Sequence, residues 1–269
     1  MMFFGLTGSP HVSLIAERLF NIGPIHITNS LLLGLVGGVL TYWILIYSSR
    51  RIAQRRYNRL SVAVLWAYDY LLDTAIEVLG SAELARKIAP LAISMFFVIV
   101  VNNWLEILPI LGPVTYNNVP LFRGLAADLN FTFALAVITM TTAQIWAIRT
   151  HGFFGNLGRY FVNPIKDPMR AFEGSLELLS EFTRFIALSM RLFGNIFGGE
   201  VLLAVMSFIT VYASPLALPP FMLFELFIGL IQAYIFFMLT VVFISLGTMS
   251  HHAPASSPDT FELSGEAVT

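Results

Sequence analysis

The sequence predicts an all-α, polytopic membrane protein: about five crossing helices, an amphipathic surface helix between the first two, and a long tilted hairpin from the last two. Three observations carry this. Hydrophobic residues make up 57% and charged residues 12% of 269 positions, with a mean hydropathy of +0.78 that suits lipid better than water. Several apolar runs approach the length needed to cross hydrocarbon. The basic residues fall almost entirely between alternate runs, as the positive-inside pattern requires.

The whole chain, 1–269, reads as a single membrane domain. Residues 1–28 lack a basic n-region followed by an apolar h-region, so they are expected to remain as a short outer segment. The first span is expected at 29–47, centred on the run from Leu31 to Tyr47. Residues 60–80 follow a helical period, with Asp69, Asp73 and Glu77 on one face, and are expected along the inner surface. Further spans are expected at 88–110 and 129–148. Two longer, polar-interrupted helices, 168–212 and 220–249, follow, with the proline-rich turn Ala213 to Pro220 between them. Residues 250–269 have no apolar periodicity and read as a solvated inner tail.

Orientation follows from the fifteen Lys and Arg. Arg50, Arg51, Arg55, Arg56, Arg59, Arg86, Lys87, Arg149, Arg159, Lys166 and Arg170 share one side, and Arg18 and Arg123 the other. The N-terminus is therefore expected outside and the C-terminus in the cytoplasm. A bacterial inner (plasma) membrane is the expected setting; an organellar inner or a thylakoid membrane would read the same way.

A net charge of −1 argues against a nucleic-acid partner. The absence of cysteine removes disulfide and thiolate chemistry. No G-x-x-x-x-G-K-[ST] occurs, and Gly152, Gly155 and Gly158 lack the lysine and strand that phosphate cradling needs. His251 and His252 are adjacent and do not share a helix face, so neither metal nor other cofactor is expected. No catalysis of its own is assigned to the chain.

The two remaining cations, Arg184 and Arg191, fall within the 168–212 helix, where a charge is costly unless it faces protein or water. At ~100° per residue, Glu173, Glu177, Arg184 and Asn195 lie within about 40° of Arg191 in one polar stripe. No acid stands at i±3 or i±4 from Arg191, so its counter-charge must come from another helix or another chain. Glu177 and Arg184 could simply pair along the helix or snorkel to the interface. Glu200 faces the opposite way from Arg191, toward the side where Glu225 and Gln232 of the last helix share a face. Nearby carboxylates in low dielectric suit proton uptake and release, whereas a guanidinium stays charged and acts as an electrostatic barrier. Asn102, Asn103 and Glu106 also lie at membrane depth. Asp128, beside Asn130, reads first as a helix cap.

The segment Ser189-Met190-Arg191-Leu192-Phe193-Gly194-Asn195-Ile196-Phe197-Gly198-Gly199-Glu200 closely resembles the signature of the family of ATP synthase subunit a, of the F type, in which an essential Arg precedes Leu-Phe-Gly-Asn. The likeness extends to Asn103-Trp104-Leu105-Glu106-Ile107-Leu108-Pro109, to Ala127-Asp128-Leu129-Asn130, and to Leu230-Ile231-Gln232-Ala233-Tyr234-Ile235-Phe236. It implies a proton-translocating stator subunit whose terminal hairpin lies against a ring of c subunits, with two offset half-channels reaching the ring carboxylate. By that resemblance Arg191 is the essential gate facing the ring. Glu200, Glu225, Gln232, Asn195, Asn103, Glu106 and Asp128 would line or border the outer half-channel, and Glu177, Ser180 and Arg184 the inner one. The implied partners are the c-ring, peripheral-stalk subunit b, other ATP synthase subunits and the lipid bilayer. Some members carry His at one position of the Glu200 and Glu225 pair; which of the two accepts the proton stays open. Two other classes fit the polar residues less well. A self-contained ion-coupled transporter or channel would bind substrate at mid-membrane and often shows internal repeats, which this chain lacks. A non-conducting scaffold would use the same residues only to hold helices together.

Overall fold

A computed structural model of the chain describes residues 18–22, 25–108, 115–116, 119–120, 123–153, 155–156, 168–210 and 213–248. The tail at 250–269, His251 and His252, Pro109, Gly158 and residues 1–17 lie outside them.

The first four helices start where the sequence supplies a side-chain cap. Helix α1 (Asn29–Ala53) opens on Thr28, whose hydroxyl accepts from the Leu31 amide at 3.3 Å, and closes with Arg50 and Arg51 against the negative end of its dipole. Helix α2 (Arg59–Leu79) has a reciprocal capping box between Asn58 and Ser61 and ends on Gly80 at φ 65, a left-handed conformation that glycine adopts without penalty. Helix α3 (Ala82–Glu106) begins at the Ser81 cap, ahead of the position expected from hydropathy. Its first turns are polar, with Lys87 paired to Glu83 at 2.6 Å, so the apolar run starts later than the helix does. Asp128 caps α4 (Leu129–His151), accepting the Asn130 amide at 3.0 Å.

Helices α5 (Pro168–Ile209) and α6 (Ser214–Thr248) complete the fold. The proline-rich stretch expected as a turn is mostly helix. The reversal is completed by Ala213, whose amide donates to the Thr210 carbonyl and whose own carbonyl accepts from Leu216 and Ala217. Pro219 and Pro220 sit inside the early turns of α6, where their missing N–H groups remove two ladder bonds. The all-α class holds. Two short antiparallel ribbons, β1 (Arg18–Ile22) with β2 (Ile25–Thr28) and β3 (Thr115–Tyr116) with β4 (Val119–Pro120), stand in the connections before α1 and before α4.

Helices α1, α3, α4, α5 and α6 are long and apolar enough to cross a membrane; α2 is not among them. Helix α3 is the hub, packed against α1, α2 and α6, and α6 also packs against α4 and α5. Ala85, Ala89 and Ala92 lie fully buried on one face of α3, letting neighbouring backbones approach closely. Phe236, Phe237, Val241 and Ile244 of α6 are fully buried in the same core. In the most apolar stretch of α3, 56% of residues are buried, against 17% in that of α5. Most of α5 therefore faces outward, toward lipid or another chain. Helix α2 buries Leu71 and Ala75 and leaves Asp69, Asp73 and Glu77 exposed.

Candidate functional site in the terminal hairpin

The rotation of α5 about its axis decides what its charged residues can do. Leu188, Leu192 and Ile196 are buried at i, i+4 and i+8, and on that side Ser189 Oγ lies 3.2 Å from Thr132 Oγ1 of α4. This turns Ala187, Met190, Arg191, Gly194 and Gly198 outward in a continuous exposed strip. A Cβ added at Gly194 or Gly198 would meet nothing within 4 Å, so the strip around Arg191 is shallow and open. Among the described residues no carboxylate lies within ion-pairing distance of Arg191. The guanidinium is presented at the outer surface of the protein, in a helix too apolar to belong in water.

Arg184, two turns earlier, is half-buried, with its guanidinium 5.7 Å from the centroid of the Phe243 ring in α6. Glu177 and Ser180 are half-buried along the same stretch, and Glu173 is exposed. Asn195 is half-buried beside the Arg191 strip.

The other face of α5 meets a second, internal group. Arg123, in the loop before α4, is 6% exposed and pairs with Glu200, Nη2 to Oε2 at 3.3 Å. A Cβ at the next residue, Gly124, would collide with the carboxylate of Glu106, and a Cβ at Gly199 would collide with that of Glu225. The two glycines thus hold the Glu106 and Glu225 carboxyls close to the Arg123–Glu200 pair, and Glu106 is within electrostatic reach of Glu200, Glu225 and Arg123. Three acids and one cation, drawn from α3, α5, α6 and the loop before α4, converge here. Charges at such range interact strongly in a medium of low dielectric constant.

Polar residues continue from this cluster into the bundle. Asn103 is buried, its Nδ2 donating to the Gly229 carbonyl of α6 at 3.4 Å. Gln232 is buried one turn further along α6 from Gly229. Among the described residues, Asn103 Oδ1, Glu225 Oε2 and Gln232 Nε2 are buried without a hydrogen-bond partner. Buried polar atoms are seldom left so unless water reaches them. Asn102 instead donates to the Val98 carbonyl of its own helix at 2.8 Å and fills the space over Gly37 of α1. Asp128 stands apart from the cluster's ion pair: besides capping α4 it accepts the Ser30 hydroxyl at 2.9 Å, tying the start of α1 to that of α4.

Sequence reasoning missed two participants. Arg123 entered it only as one of two outer cations, yet it forms an ion pair with the hairpin carboxylate Glu200. The second is Glu181, whose two carboxylate oxygens receive Gln144 Nε2 at 2.8 and 2.7 Å, while Asn156 donates to Gln144 Oε1 at 3.1 Å. Glu181 lies ~80° from Arg191 around α5 and so falls off the polar stripe.

These features agree with the likeness of most of the chain to known proteins. The family described as ATP synthase A chain matches residues 30–245. The chain belongs to this family. A protein of Enterococcus hirae named ATP synthase subunit a is 32% identical over 234 residues, covering 84% of this chain and 94% of the relative. The Enterococcus faecalis protein of that name is 28% identical over 85% of this chain and 95% of its own length. A third, from Helicobacter pylori, is 34% identical over 65% of this chain and 70% of the relative. As an ATP synthase A chain, this is a multi-pass membrane protein and the proton-translocating stator component of an F-type ATP synthase, a complex of several different chains.

Proposed function

We propose that the two faces of α5 divide the work of proton translocation, the exposed strip meeting a ring of c subunits and the internal cluster feeding protons to it. The observation that carries this reading is Arg191 itself, charged, exposed, apolar-flanked and without a carboxylate partner within the described chain. An acidic residue on a moving neighbour supplies the missing charge. Gly194 and Gly198 on the same strip let that neighbour come close.

Protons arriving from the outer side pass through the group formed by Glu106, Glu200, Glu225, Asn103 and Gln232, where the unpartnered buried atoms of the last three are satisfied by water. Asn195 borders this route on the strip side, and Asp128 holds α1 and α4 together at its mouth. On the inner side, Glu177, Ser180 and Arg184 border the exit. Arg191 stands between the two routes. Always protonated, it favours the ionised ring carboxylate and repels a proton moving straight from one route to the other. Each proton must then ride the ring before leaving. With the basic loops inside, the C-terminus lies in the cytoplasm, beneath a bacterial plasma membrane. A peripheral stalk containing subunit b holds the protein against the ring's drag.

ATP-driven proton uptake by inverted vesicles tests this, with assembly of the complex read by co-purification. Arg191→Ala is expected to leave the complex assembled and uptake undetectable. Full uptake by an assembled Arg191→Ala complex would overturn the assignment.

A further inference from the structure

The end of α1 carries a pocket that the proton routes do not use. Trp43, Tyr47, Arg50, Arg51, Gln54 and Arg56 line a cavity of about 370 Å³. With Ile46, the lining numbers seven residues, three of them arginines, and among the described residues no carboxylate is within ion-pairing distance of those three. The rings of Trp43 and Tyr47 stack with centroids 5.4 Å apart, and the Arg51 guanidinium lies 5.2 Å above the Tyr47 ring. A guanidinium stacked in this way keeps its in-plane N–H donors available to an anion.

The backbone contributes as well. Arg55 adopts φ 53, a left-handed conformation unusual for a side chain of its size, and the Arg56 amide then donates to the Arg51 carbonyl at 3.0 Å. That turn folds Arg56 back toward α1. Conformations of this kind persist where the surrounding structure enforces them.

A column of apolar side chains leads to the pocket along the same helix face. Leu35, Val36, Val39, Tyr42 and Trp43 are exposed, up to 69% for Val39, and stand at helical spacing below the cavity. From membrane core outward the order is aliphatic, then aromatic, then cationic. A glycerophospholipid has the matching order of acyl chain, ester region and phosphate.

We infer that this pocket binds the phosphodiester headgroup of an anionic glycerophospholipid, with an acyl chain lying along the exposed face of α1. The inference rests on the reading of α1 as a membrane span and is independent of the roles given to the hairpin. Three cations without an acid select against a zwitterionic headgroup, whose ammonium would enter the same cavity. Arginine forks suit the paired oxygens of a phosphodiester.

The test uses the intact complex in phosphatidylcholine nanodiscs doped with a photoreactive phosphatidylglycerol, and the labelled peptides are mapped by mass spectrometry. Label is expected on the peptide spanning residues 43–56. Unlabelled phosphatidylglycerol should displace it, while phosphatidylcholine and inorganic phosphate should not. Arg51→Gln and Arg56→Gln should each weaken labelling roughly fivefold, as expected for one surface cation. Absence of label on 43–56, or equal displacement by phosphatidylcholine, would overturn the site as a specific one. Displacement by inorganic phosphate would make it a soluble-anion site instead. Should the glutamine variants fail to assemble, benzoylphenylalanine in place of Gln54, with every arginine kept, reads the same contact. Capture of phosphatidylglycerol supports the inference, and capture of a neighbouring protein chain replaces it with a protein interface.

Discussion

Arg123 and Arg191 are cations on either side of α5, and the structure treats them oppositely. Arg123 is 6% exposed and paired with Glu200; Arg191 is exposed and, among the described residues, paired with no carboxylate. A buried cation with its own acid is complete within the chain, and its removal strands the acid. An exposed cation on an apolar helix is complete only in an assembly. Arg123 belongs to the protein's interior, and under the proposed reading Arg191 belongs to its interface with the ring, so changes at the two should differ in kind.

The most severe test of the interior group disables its acids while sparing both arginines. Glu200→Gln combined with Glu225→Gln should cut ATP-driven proton uptake more than a hundredfold, comparable to ~3 kcal/mol of lost transition-state stabilisation, with the complex still assembled. Normal uptake in this double variant would mean that the cluster is structural only.

Arg123→Met should lower uptake about tenfold, or ~1.4 kcal/mol, and should also lower the thermal stability of the purified complex. Exchanging the partners, Arg123→Glu with Glu200→Arg, should restore stability to near the native value while leaving uptake low. Among the described residues Arg191 has no paired acid with which to make such an exchange. A stability loss in Arg191→Ala as large as that in Arg123→Met would collapse the distinction between the two.

Gly199→Ala comes next. The added methyl displaces the flexible Glu225 carboxyl rather than backbone, so stability should hold while uptake falls by a few-fold, on the scale of ~1 kcal/mol. Gly194→Ala on the open strip adds a methyl that touches nothing in this chain. It should leave the isolated protein's stability unchanged and weaken retention of c subunits during purification. The smallest effect belongs to the exposed Lys87–Glu83 pair, where Glu83→Gln should change neither uptake nor assembly measurably.

The spans were legible because hydropathy is a local property, and Arg191 stood out because a lone cation in an apolar helix violates a local rule. Glu200, Glu225 and Gln232 could be sorted by helical angle alone. The pairing of Arg123 with Glu200 was not legible, since the two stand 77 positions apart and a loop residue has no periodicity to betray which way it points. Glu181 was passed over because it lies off the stripe, and its partner Gln144 belongs to a different helix. The proline stretch at 213–220 misled because composition marks proline as a helix breaker without showing where the next helix starts, and α6 already runs from Ser214 through Pro219 and Pro220. The two β ribbons are too short to leave a signal in alternation.

The 42 residues of α5 form a rod of about 63 Å at ~1.5 Å per residue, twice the ~30 Å of hydrocarbon it has to cross. In the proposed scheme a helix of that length lies oblique to the membrane. Distance along its axis then becomes distance sideways, and in that scheme Glu177 and Glu200 stand above different points on the circumference of the ring. With Arg191 between, a proton that boards at one point and alights at the other must turn the rotor the long way round. Under the proposed scheme the sense of rotation is written into the lean of one helix, and its mirror image would run backwards.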